Sequence, residues 1–296
     1  MSTVPVRLES QTFERRKVPR SVRRRRFLIS VANHSLLIAA AIAFALPFVF
    51  IGLTAVMTHD QALSPHLWPS PFRWSNFTDV FHQAPMLRWT LNTALYAGLS
   101  TLGVLVSSIP VAYALAKLRW RGRDTVFLVV LVALMLPPQV TVIPLYVMWA
   151  KLDLVGTLWP LVIPVWLGDA FSIFLLRQFF LTIPEEYLDA ARVDGCGEFR
   201  ILTTVVVRLA KPAIAAVALF SVLYTFNDFF LPLLYLGENP DNWVLSVGLS
   251  NFRSLHQVEW NMVMAATVLM MLPVIILFFL AQRAFVEGVT LTGVKG

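Results

Sequence analysis

Six long apolar runs, separated by short polar segments, dominate the pattern of this chain. Because a helix needs about 20 mostly apolar residues to cross the hydrocarbon core of a bilayer, each run is long enough to span a membrane. Strands of a membrane barrel would instead appear as segments of about ten alternating residues. The pattern therefore predicts an all-α membrane protein with six transmembrane helices. The predicted spans are Leu36–Met57 (extendable back to Phe27), Leu91–Ala116, Thr125–Ala150, Leu154–Leu176, Ala213–Leu236 and Asn261–Ala281.

The composition supports this prediction and removes the soluble alternatives. Of the 296 residues, 57% are hydrophobic and 14% are charged, whereas soluble domains carry about 45–50% apolar and about 25% charged residues. A disordered chain is excluded because disorder needs low hydrophobicity and a high charge density. A disulfide-stapled fold is excluded as well, since Cys196 is the only cysteine and has no partner within the chain.

The placement of lysine and arginine predicts the orientation of the six spans. Twenty of the 24 basic residues lie in the N-terminal tail, between spans two and three, between spans four and five, or after span six. Since basic residues concentrate in cytoplasmic loops, both termini are predicted to be cytoplasmic. This divides the chain into a basic tail at 1–26 and a membrane domain at 27–296, with its core at 91–282 and a cytoplasmic loop at 182–212. The four remaining basic residues are Arg73, Arg88, Lys151 and Arg253.

The net charge of +7 also bears on the expected partners. The positive residues flank membrane spans, and no basic patch is interleaved with stacking aromatics, so nucleic acid is not expected as a partner. The run Arg23–Arg26 is better explained by contact with the anionic headgroups of the lipid bilayer. It is similar to a twin-arginine export signal, but no small-residue cleavage site follows it and five further spans do.

Polar residues inside the apolar runs are the candidates for a substrate pathway. Asp169 and Asp228 lie within spans four and five, where a carboxylate costs about 2.5–3.5 kcal/mol on insertion scales and normally faces a partner or a water-filled space. Asn227 and Asp228 stand among phenylalanines, an arrangement that suits a polyhydroxylated ligand. An amide and a carboxylate bind hydroxyl groups, while aromatic rings cover the apolar faces of a sugar. An interhelical hydrogen bond, or a carboxylate at a helix end, is the structural alternative for both aspartates.

Span three contains the weaker candidates. The pair Pro137-Pro138 is predicted to break the helix near its middle, because proline removes a backbone donor and kinks a helix. Gln139 follows directly, and a polar side chain at a broken helix is typical of a helix that lines a pathway. Tyr146 and Trp149, further along the same run, are candidates of the same kind.

Catalytic and metal-binding patterns are missing from the sequence. The five histidines stand singly in loops or at span edges, and none forms the spaced pair of a zinc site on a helix. The single thiol has no neighbouring histidine, and no glycine-rich phosphate-binding loop is present. We therefore expect no catalytic residue, no metal and no cofactor in this chain, and no hydrolysis of nucleotide by the chain itself.

The loop at 182–212 is the most informative polar segment. Thr182 is predicted to cap a short helix, with Glu185 completing a capping box. Gly195 is predicted to end this helix, because glycine adopts the left-handed conformation at a helix C-terminus. A second helix is predicted from Glu198 to the pair Lys211-Pro212. The loop is therefore a helix, a tight turn and a second helix, and Ala190 and Ala191 give the first helix a small-residue surface that another protein can approach.

A specific resemblance lies in this loop. The run Asp189-Ala-Ala-Arg-Val-Asp-Gly195 resembles the E-A-A-x-x-x-G signature of bacterial ABC-importer permeases. Asp189 stands where that family usually has glutamate, and Arg208 stands where many members have proline. The resemblance implies a type I ABC-importer fold in which the loop docks into a groove of the ATP-binding subunit. The docking residues that it implies are Glu185, Asp189, Ala190, Ala191, Asp194, Gly195 and Phe199.

Other segments resemble the carbohydrate-uptake subgroup, which includes the second maltose permease. The matches run in order from Asn92 to the last residue. They imply a second permease subunit, two ATP-binding subunits that hold ATP and Mg²⁺, an external solute-binding protein and a sugar substrate. The matching segments are Asn92-Thr-Ala94, Ala112-Tyr-Ala-Leu-Ala116, Met135-Leu-Pro-Pro-Gln139, Phe174-Leu-Leu-Arg-Gln-Phe179, Asn227-Asp-Phe229 and Phe285-Val-Glu-Gly-Val-Thr-Leu-Thr-Gly-Val-Lys-Gly296.

The sequence thus predicts a non-catalytic permease subunit in the bacterial cytoplasmic membrane, forming half of a sugar pathway. Asn227, Asp228, Gln139, Tyr146 and Asp169 are its predicted pathway residues. An ABC permease for another solute, such as a phosphorylated polyol or a polyamine, is the alternative within the class. A membrane-embedded enzyme or a scaffold is the alternative outside it. An intramembrane enzyme should show paired titratable groups within the spans, whereas those of this chain are isolated.

Overall fold

The computed structural model describes residues 20–251 and 259–293, and every regular element within these ranges is a helix. Most of the predicted basic tail, residues 1–19, and Lys295 lie outside the described residues. The longest helices are α1, α4 and α15, while several apolar runs are divided into shorter helices. The α-helices are α1 Arg20–Ala55, α2 His59–Ala62, α3 Asn76–Gln83, α4 Met86–Ala116, α5 Arg123–Met135, α6 Pro138–Lys151, α7 Trp159–Trp166, α8 Ala170–Thr182, α9 Glu185–Val193, α10 Glu198–Ile201, α11 Val207–Leu209, α12 Lys211–Asn227, α13 Phe230–Leu236, α14 Leu245–Asn251 and α15 Trp260–Gly293. A π-helical turn, Leu202–Val206, joins α10 to α11, and a 3₁₀ turn, Pro240–Asn242, precedes α14.

The chain divides into two compact units, Met1–Phe50 and Ile51–Gly296. The described part of the first unit is a single helix, the greater part of α1. Its apolar stretch has a mean hydropathy of 2.7, and its large side chains, such as Leu36 and Phe44, are exposed. A helix that is apolar on all sides is typical of a membrane span.

Candidate spans follow the predicted apolar runs, although not one for one. Three described segments are long and apolar enough to cross a bilayer: Ile29–Ala55 of α1, Met86–Ala116, which is α4, and Trp159–Thr182, which comprises α7 and α8. Two further pairs of consecutive helices, each bent at a short break, pass the same criterion when a pair is counted as one span. The number of candidate spans is then as high as five. The last run lies in α15, whose part that counts as an apolar helix is the shorter stretch Trp260–Ile276. An all-helical membrane protein is therefore confirmed, while the count of six spans stays a prediction.

The predicted break at the proline pair is present. Helix α5 ends at Met135 and α6 begins at Pro138, and their axes differ by 94°. Leu136 and Pro137, between them, have extended backbone, since a residue before proline is disfavoured in the helical region.

The predicted spans four and five, which the sequence predicts as apolar runs interrupted by Asp169 and Asp228, are each divided into two helices. The first breaks between Trp166 and Ala170, where Gly168 has a left-handed φ of 134°. The second breaks after Asn227, where Asp228 takes an extended conformation. In each case an aspartate that the sequence places in mid-span ends or begins a helix.

Helix α4 is the element around which the second unit is packed. Helices α7, α8 and α12 all lie against it. One close approach is at Gly103, where an added Cβ would lie 2.3 Å from Cδ1 of Trp166. The Trp166 indole N–H donates to the backbone carbonyl of Leu99 at 3.1 Å, which fixes the ring against α4.

We expect Gly103→Ala to destabilise the protein by about 1–3 kcal/mol, the usual cost of overpacking. The ring of Trp166 cannot give way without losing its bond to α4. Gly98→Ala on the same helix is the matched control, because an added Cβ there meets nothing within 4 Å. Thermal unfolding of the detergent-solubilised protein measures both. Equal midpoints for the two variants would contradict the close α4–α7 contact.

Candidate functional site

The loop at 182–212 folds as the predicted helix, turn and second helix. Helix α9 is anchored by Leu188, whose side chain is fully buried in a core shared with α4, α8 and α12. Gly195 follows its end with φ +78°. The N–H of Gly195 donates to the Arg192 carbonyl and that of Cys196 to the Ala191 carbonyl, both at 3.0 Å. This is a Schellman motif, and the predicted stop at Gly195 is confirmed.

The predicted capping box is wrong. Thr182 is the last residue of α8, and its hydroxyl donates to the Phe179 carbonyl at 2.7 Å. Helix α9 begins after Pro184, and no side chain caps it. The second helix also ends earlier than predicted, at Leu209. Pro212 instead stands in the first turn of α12, where its missing N–H costs nothing.

Lys117, at the end of α4, holds the beginning of α9. Its side chain is only 3% exposed. The ammonium group donates to the Ile183 carbonyl at 2.6 Å and to Oε1 of Glu185 at 2.9 Å. Sequence reasoning counted Lys117 only as a marker of orientation and assigned Glu185 to partner docking. The structure ties that carboxylate to α4.

A second polar cluster holds the end of α9 against the same helix. Arg192 donates to Asp189 at 2.8 Å and to Glu198 at 2.9 Å. The Tyr113 hydroxyl of α4 donates to the other oxygen of Glu198. The bond from Arg192, with a smaller contribution from Tyr113, lowers the pKa of Glu198. The bond to Glu198, followed by that to Asp189, raises the pKa of Arg192. Both groups are therefore charged at neutral pH, and the turn is fixed at both ends.

Several apolar side chains of the loop at 182–212 are exposed, although the loop itself is hydrogen-bonded to α4. Val193 is 88% exposed and Phe199 is 79% exposed, and Tyr187 is 56% exposed. We call these three residues the docking face. Ala190 is exposed beside them, as the sequence predicts, whereas Ala191 is half-buried against the core. Exposed apolar residues grouped in this way are typical of a surface that another protein covers.

Among the predicted pathway residues, Asp228 has the most partners. Its Oδ2 accepts the hydroxyl of Tyr96 at 2.9 Å, and its carboxylate also accepts the backbone N–H of Leu231. Its main-chain carbonyl accepts the Ser246 hydroxyl at 2.6 Å. Asp228 is half-buried and joins α4, α13 and α14. Sequence reasoning missed Tyr96, because a tyrosine in an apolar run resembles an ordinary core residue.

Asn227 and Asp169 lie in different local settings. Asn227 is exposed at the end of α12, and its amide donates to the Leu223 carbonyl at 2.7 Å. Asp169 caps α8 by accepting the N–H of Ser172 at 2.8 Å. Tyr224 is exposed and interacts electrostatically with both Asp169 and Asp228.

The three candidate pathway residues of span three lie in different environments. The Tyr146 ring stacks on Tyr235 of α13, with ring centres 6.1 Å apart. Trp149 is buried in a neighbouring core cluster. Gln139 is exposed in the first turn of α6, and among the hydrogen bonds of the described residues none joins it to Asp228.

The first turns of α4 are fixed by the segment before α14. The Asn92 amide donates to the carbonyls of Asp241 and Trp243, both at 2.9 Å. The Thr93 hydroxyl accepts the N–H of Leu245 at 2.8 Å, and Arg88 forms an ion pair with Asp241. Asn92 and Thr93, which belong to a segment that resembles the permease family, thus have a structural role. Helix α4 is held at one end by this segment and at the other by α9.

This chain is an all-helical membrane protein, and its helix–turn–helix loop is hydrogen-bonded to α4 and exposes apolar side chains. These are features of a transport subunit. Residues 108–291 match the family described as "Binding-protein-dependent transport system inner membrane component". The match covers more than half of the chain, and the chain belongs to this family.

Similar proteins are transport permeases. The chain is 34% identical to the arabinooligosaccharides transport system permease protein AraQ of Halalkalibacterium halodurans, over 77% of this chain and 81% of that protein. It is 30% identical to the sn-glycerol-3-phosphate transport system permease protein UgpE of Yersinia pestis, over 88% and 95%. Among solved structures, it is similar to a chain of a bacterial ABC transporter involved in the import of the acidic polysaccharide alginate. That match has a TM-score of 0.79 and 25% identity and covers 90% of this chain and 99% of that one.

Proposed function

We propose that this chain is one of two permease subunits of an ATP-driven, binding-protein-dependent importer of sugars or oligosaccharides. It has six spans, both termini in the cytoplasm and no catalytic site of its own. ATP and Mg²⁺ are held by two partner subunits, and an external solute-binding protein delivers the substrate. The family description supports the dependence on a binding protein, and the excess of basic residues in four of the polar segments supports the orientation.

The main observation in support of this proposal is that the loop bearing the docking face is attached to α4 by packing and hydrogen bonds. Val193 and Phe199 are exposed to a partner, while Leu188 and Lys117 join the same loop to the rest of the protein. A push on the docking face by the ATP-binding subunits is therefore passed to α4 without an intervening flexible linker. Gly195 lets the partner approach closely, because no side chain stands at the turn.

Helix α4 carries the displacement to the substrate pathway. Tyr96 lies about six helical turns before Lys117, the residue that ends α4, and is hydrogen-bonded to Asp228. The break at Asp228 leaves α13 free to change direction relative to α12. Movement of α4 consequently moves the polar group around Asn227 and Asp228, which alternately faces the outside and the cytoplasm.

The substrate class follows from relatives and from charge. AraQ is named for arabinooligosaccharides and UgpE for sn-glycerol-3-phosphate. The predicted pathway residues include two carboxylates, Asp169 and Asp228, and no cation, so they repel a phosphate group and accept hydroxyl groups. A neutral sugar fits this charge better than a phosphorylated polyol, which the UgpE match makes the second candidate.

We expect Val193→Asp to abolish most ATP-dependent sugar uptake, because a charge on the docking face must be desolvated when the ATP-binding subunit covers it. Burying such a charge without a partner costs several kcal/mol, and 1.4 kcal/mol corresponds to a tenfold loss of binding. The measurement is uptake in proteoliposomes containing the whole importer, together with co-purification of the ATP-binding subunit.

Leu152→Asp is the matched control. Leu152 is also exposed and apolar, at the end of α6, but the proposed topology places it on the opposite side of the membrane. The control should retain both uptake and the bound subunit. Full assembly of Val193→Asp with the ATP-binding subunit would show that the docking face has another role. Uptake of glycerol phosphate but of no neutral sugar by the wild-type importer would favour the second candidate.

A further inference from the structure

The segment between α4 and α5 contains a basic cavity that the proposed function does not use. This open cavity has a volume of about 460 Å³ and lies at the beginning of α5. It is lined by Arg119, Trp120, Gly122, Arg123, Asp124 and Thr125.

The cations of the cavity are not fully neutralised within the described part of the chain. Arg123 pairs through Nε with Asp124 at 3.1 Å, which leaves the remaining N–H groups of its guanidinium available. No described carboxylate lies within ion-pair distance of Arg119 or Arg177. Arg177 is not a lining residue; it lies over the ring of Phe127, 3.7 Å from its centre. It is repelled by Arg123 and more weakly attracted by Asp124, so an anion in the cavity would add to that attraction.

An apolar surface continues directly from the cavity. Leu128, Val129 and Val132 of α5 are exposed. They follow cavity-lining Thr125 at intervals of three, four and seven residues, so they share one face of the helix. Trp120 stands at the rim, partly exposed, and its indole N–H donates to the Ala114 carbonyl at 3.1 Å. An amphipathic ring held in this way is typical of the headgroup level of a bilayer.

We propose that this cavity binds the phosphate of an anionic phospholipid, with the acyl chains against the apolar face of α5. Arginine guanidinium groups match phosphate oxygens with two parallel hydrogen bonds. A free phosphate ion satisfies only the cavity, whereas a phospholipid satisfies both the cavity and the apolar face. The proposal concerns this chain and its bilayer and does not depend on which substrate is transported.

The test is native mass spectrometry of the whole importer, released from detergent after exposure to an equal mixture of phosphatidylglycerol and phosphatidylcholine. A charge-assisted hydrogen bond from arginine to the lipid phosphate contributes enough for about a tenfold preference, beyond the general attraction of the basic segment. We expect Arg119→Gln and Arg123→Gln each to lower the ratio of retained phosphatidylglycerol to phosphatidylcholine about tenfold. Arg121→Gln is the matched control, since Arg121 belongs to the same segment and is not among the lining residues. It should change the ratio less than twofold.

Two results of the lipid measurement would overturn the proposal. An equal decrease in all three variants would mean that only the general charge of the segment attracts lipid, and no decrease in any would mean that the cavity binds none. A second experiment measures how much inorganic phosphate and phosphatidylglycerol each raise the thermal unfolding midpoint of the same importer. If phosphate raises the midpoint as much as phosphatidylglycerol does, and if this increase is lost in Arg123→Gln, the cavity binds a free anion instead.

Discussion

Replacing Lys117 with Met is expected to lower sugar uptake about tenfold or more while ATP hydrolysis by the assembled importer continues. Met fills a similar volume but cannot donate to the Ile183 carbonyl or to Glu185. A buried carbonyl left without a donor costs about 1–3 kcal/mol. The beginning of α9 should then separate from α4, so that movement of the docking face no longer reaches the spans. The measurement is the number of sugar molecules imported for each ATP hydrolysed in proteoliposomes.

This ratio distinguishes a positioning role from simple instability. Loss of folded protein lowers uptake and hydrolysis together, whereas loss of the link lowers the ratio. Lys151→Met is the matched control, because Lys151 is exposed at the end of α6, and its ratio should stay at the wild-type value. Lys117→Arg keeps a cation and donors, so partial recovery is expected. An unchanged ratio in Lys117→Met would refute the rigid link.

Asp228→Ala is expected to lower the rate of sugar uptake by about tenfold or more. A hydrogen bond to a charged group contributes about 1.5–3 kcal/mol, and 1.4 kcal/mol corresponds to a factor of ten. The change leaves the Tyr96 hydroxyl, in a residue only 4% exposed, without its acceptor. It also removes the one half-buried carboxylate that joins α4 to the helix break. Initial uptake rates over a range of sugar concentrations measure the effect.

Two further variants separate contact with substrate from helix attachment. Asp228→Asn retains an acceptor for Tyr96 but removes the charge, and Tyr96→Phe removes the hydroxyl but retains the carboxylate. If Asp228 contacts the sugar, Asp228→Asn should change the rate or the substrate preference, while Tyr96→Phe should change it much less. Equal losses in Tyr96→Phe and Asp228→Ala, with normal uptake in Asp228→Asn, would assign Asp228 a structural role alone.

The sequence predicted helix ends and breaks well where adjacent residues alone determine them. The break at Pro137 and Pro138 depends on the backbone chemistry of adjacent residues, and it is present. The stop at Gly195 depends on one glycine conformation, and it is present as well. The capping box failed because Thr182 satisfies the end of α8 rather than the start of α9. A threonine between two helices matches either pattern, and only the packing of Leu188 and Lys117 decides between them.

The sequence shows that Asp169 and Asp228 interrupt spans four and five, but it does not show what each aspartate does to the backbone. Hydrophobicity averaged over a run of 20 residues is insensitive to one aspartate, whereas the backbone is not. Asp169 caps the helix that follows it, and Asp228 bonds the N–H of Leu231. Both carboxylates thereby divide a run that remains apolar enough to lie in a membrane.

By itself, the sequence determined that this is a helical membrane protein of the binding-protein-dependent permease family, and where its projecting loop lies. Run length, charge placement and a short motif are local properties, so they are readable without a fold. Only the tertiary structure decided how that loop is attached. Lys117 meets Ile183 across 66 positions, Tyr113 meets Glu198 across 85, and Tyr96 meets Asp228 across 132. Such contacts depend on how the helices pack against α4, since no local pattern specifies which distant residue a buried donor will find.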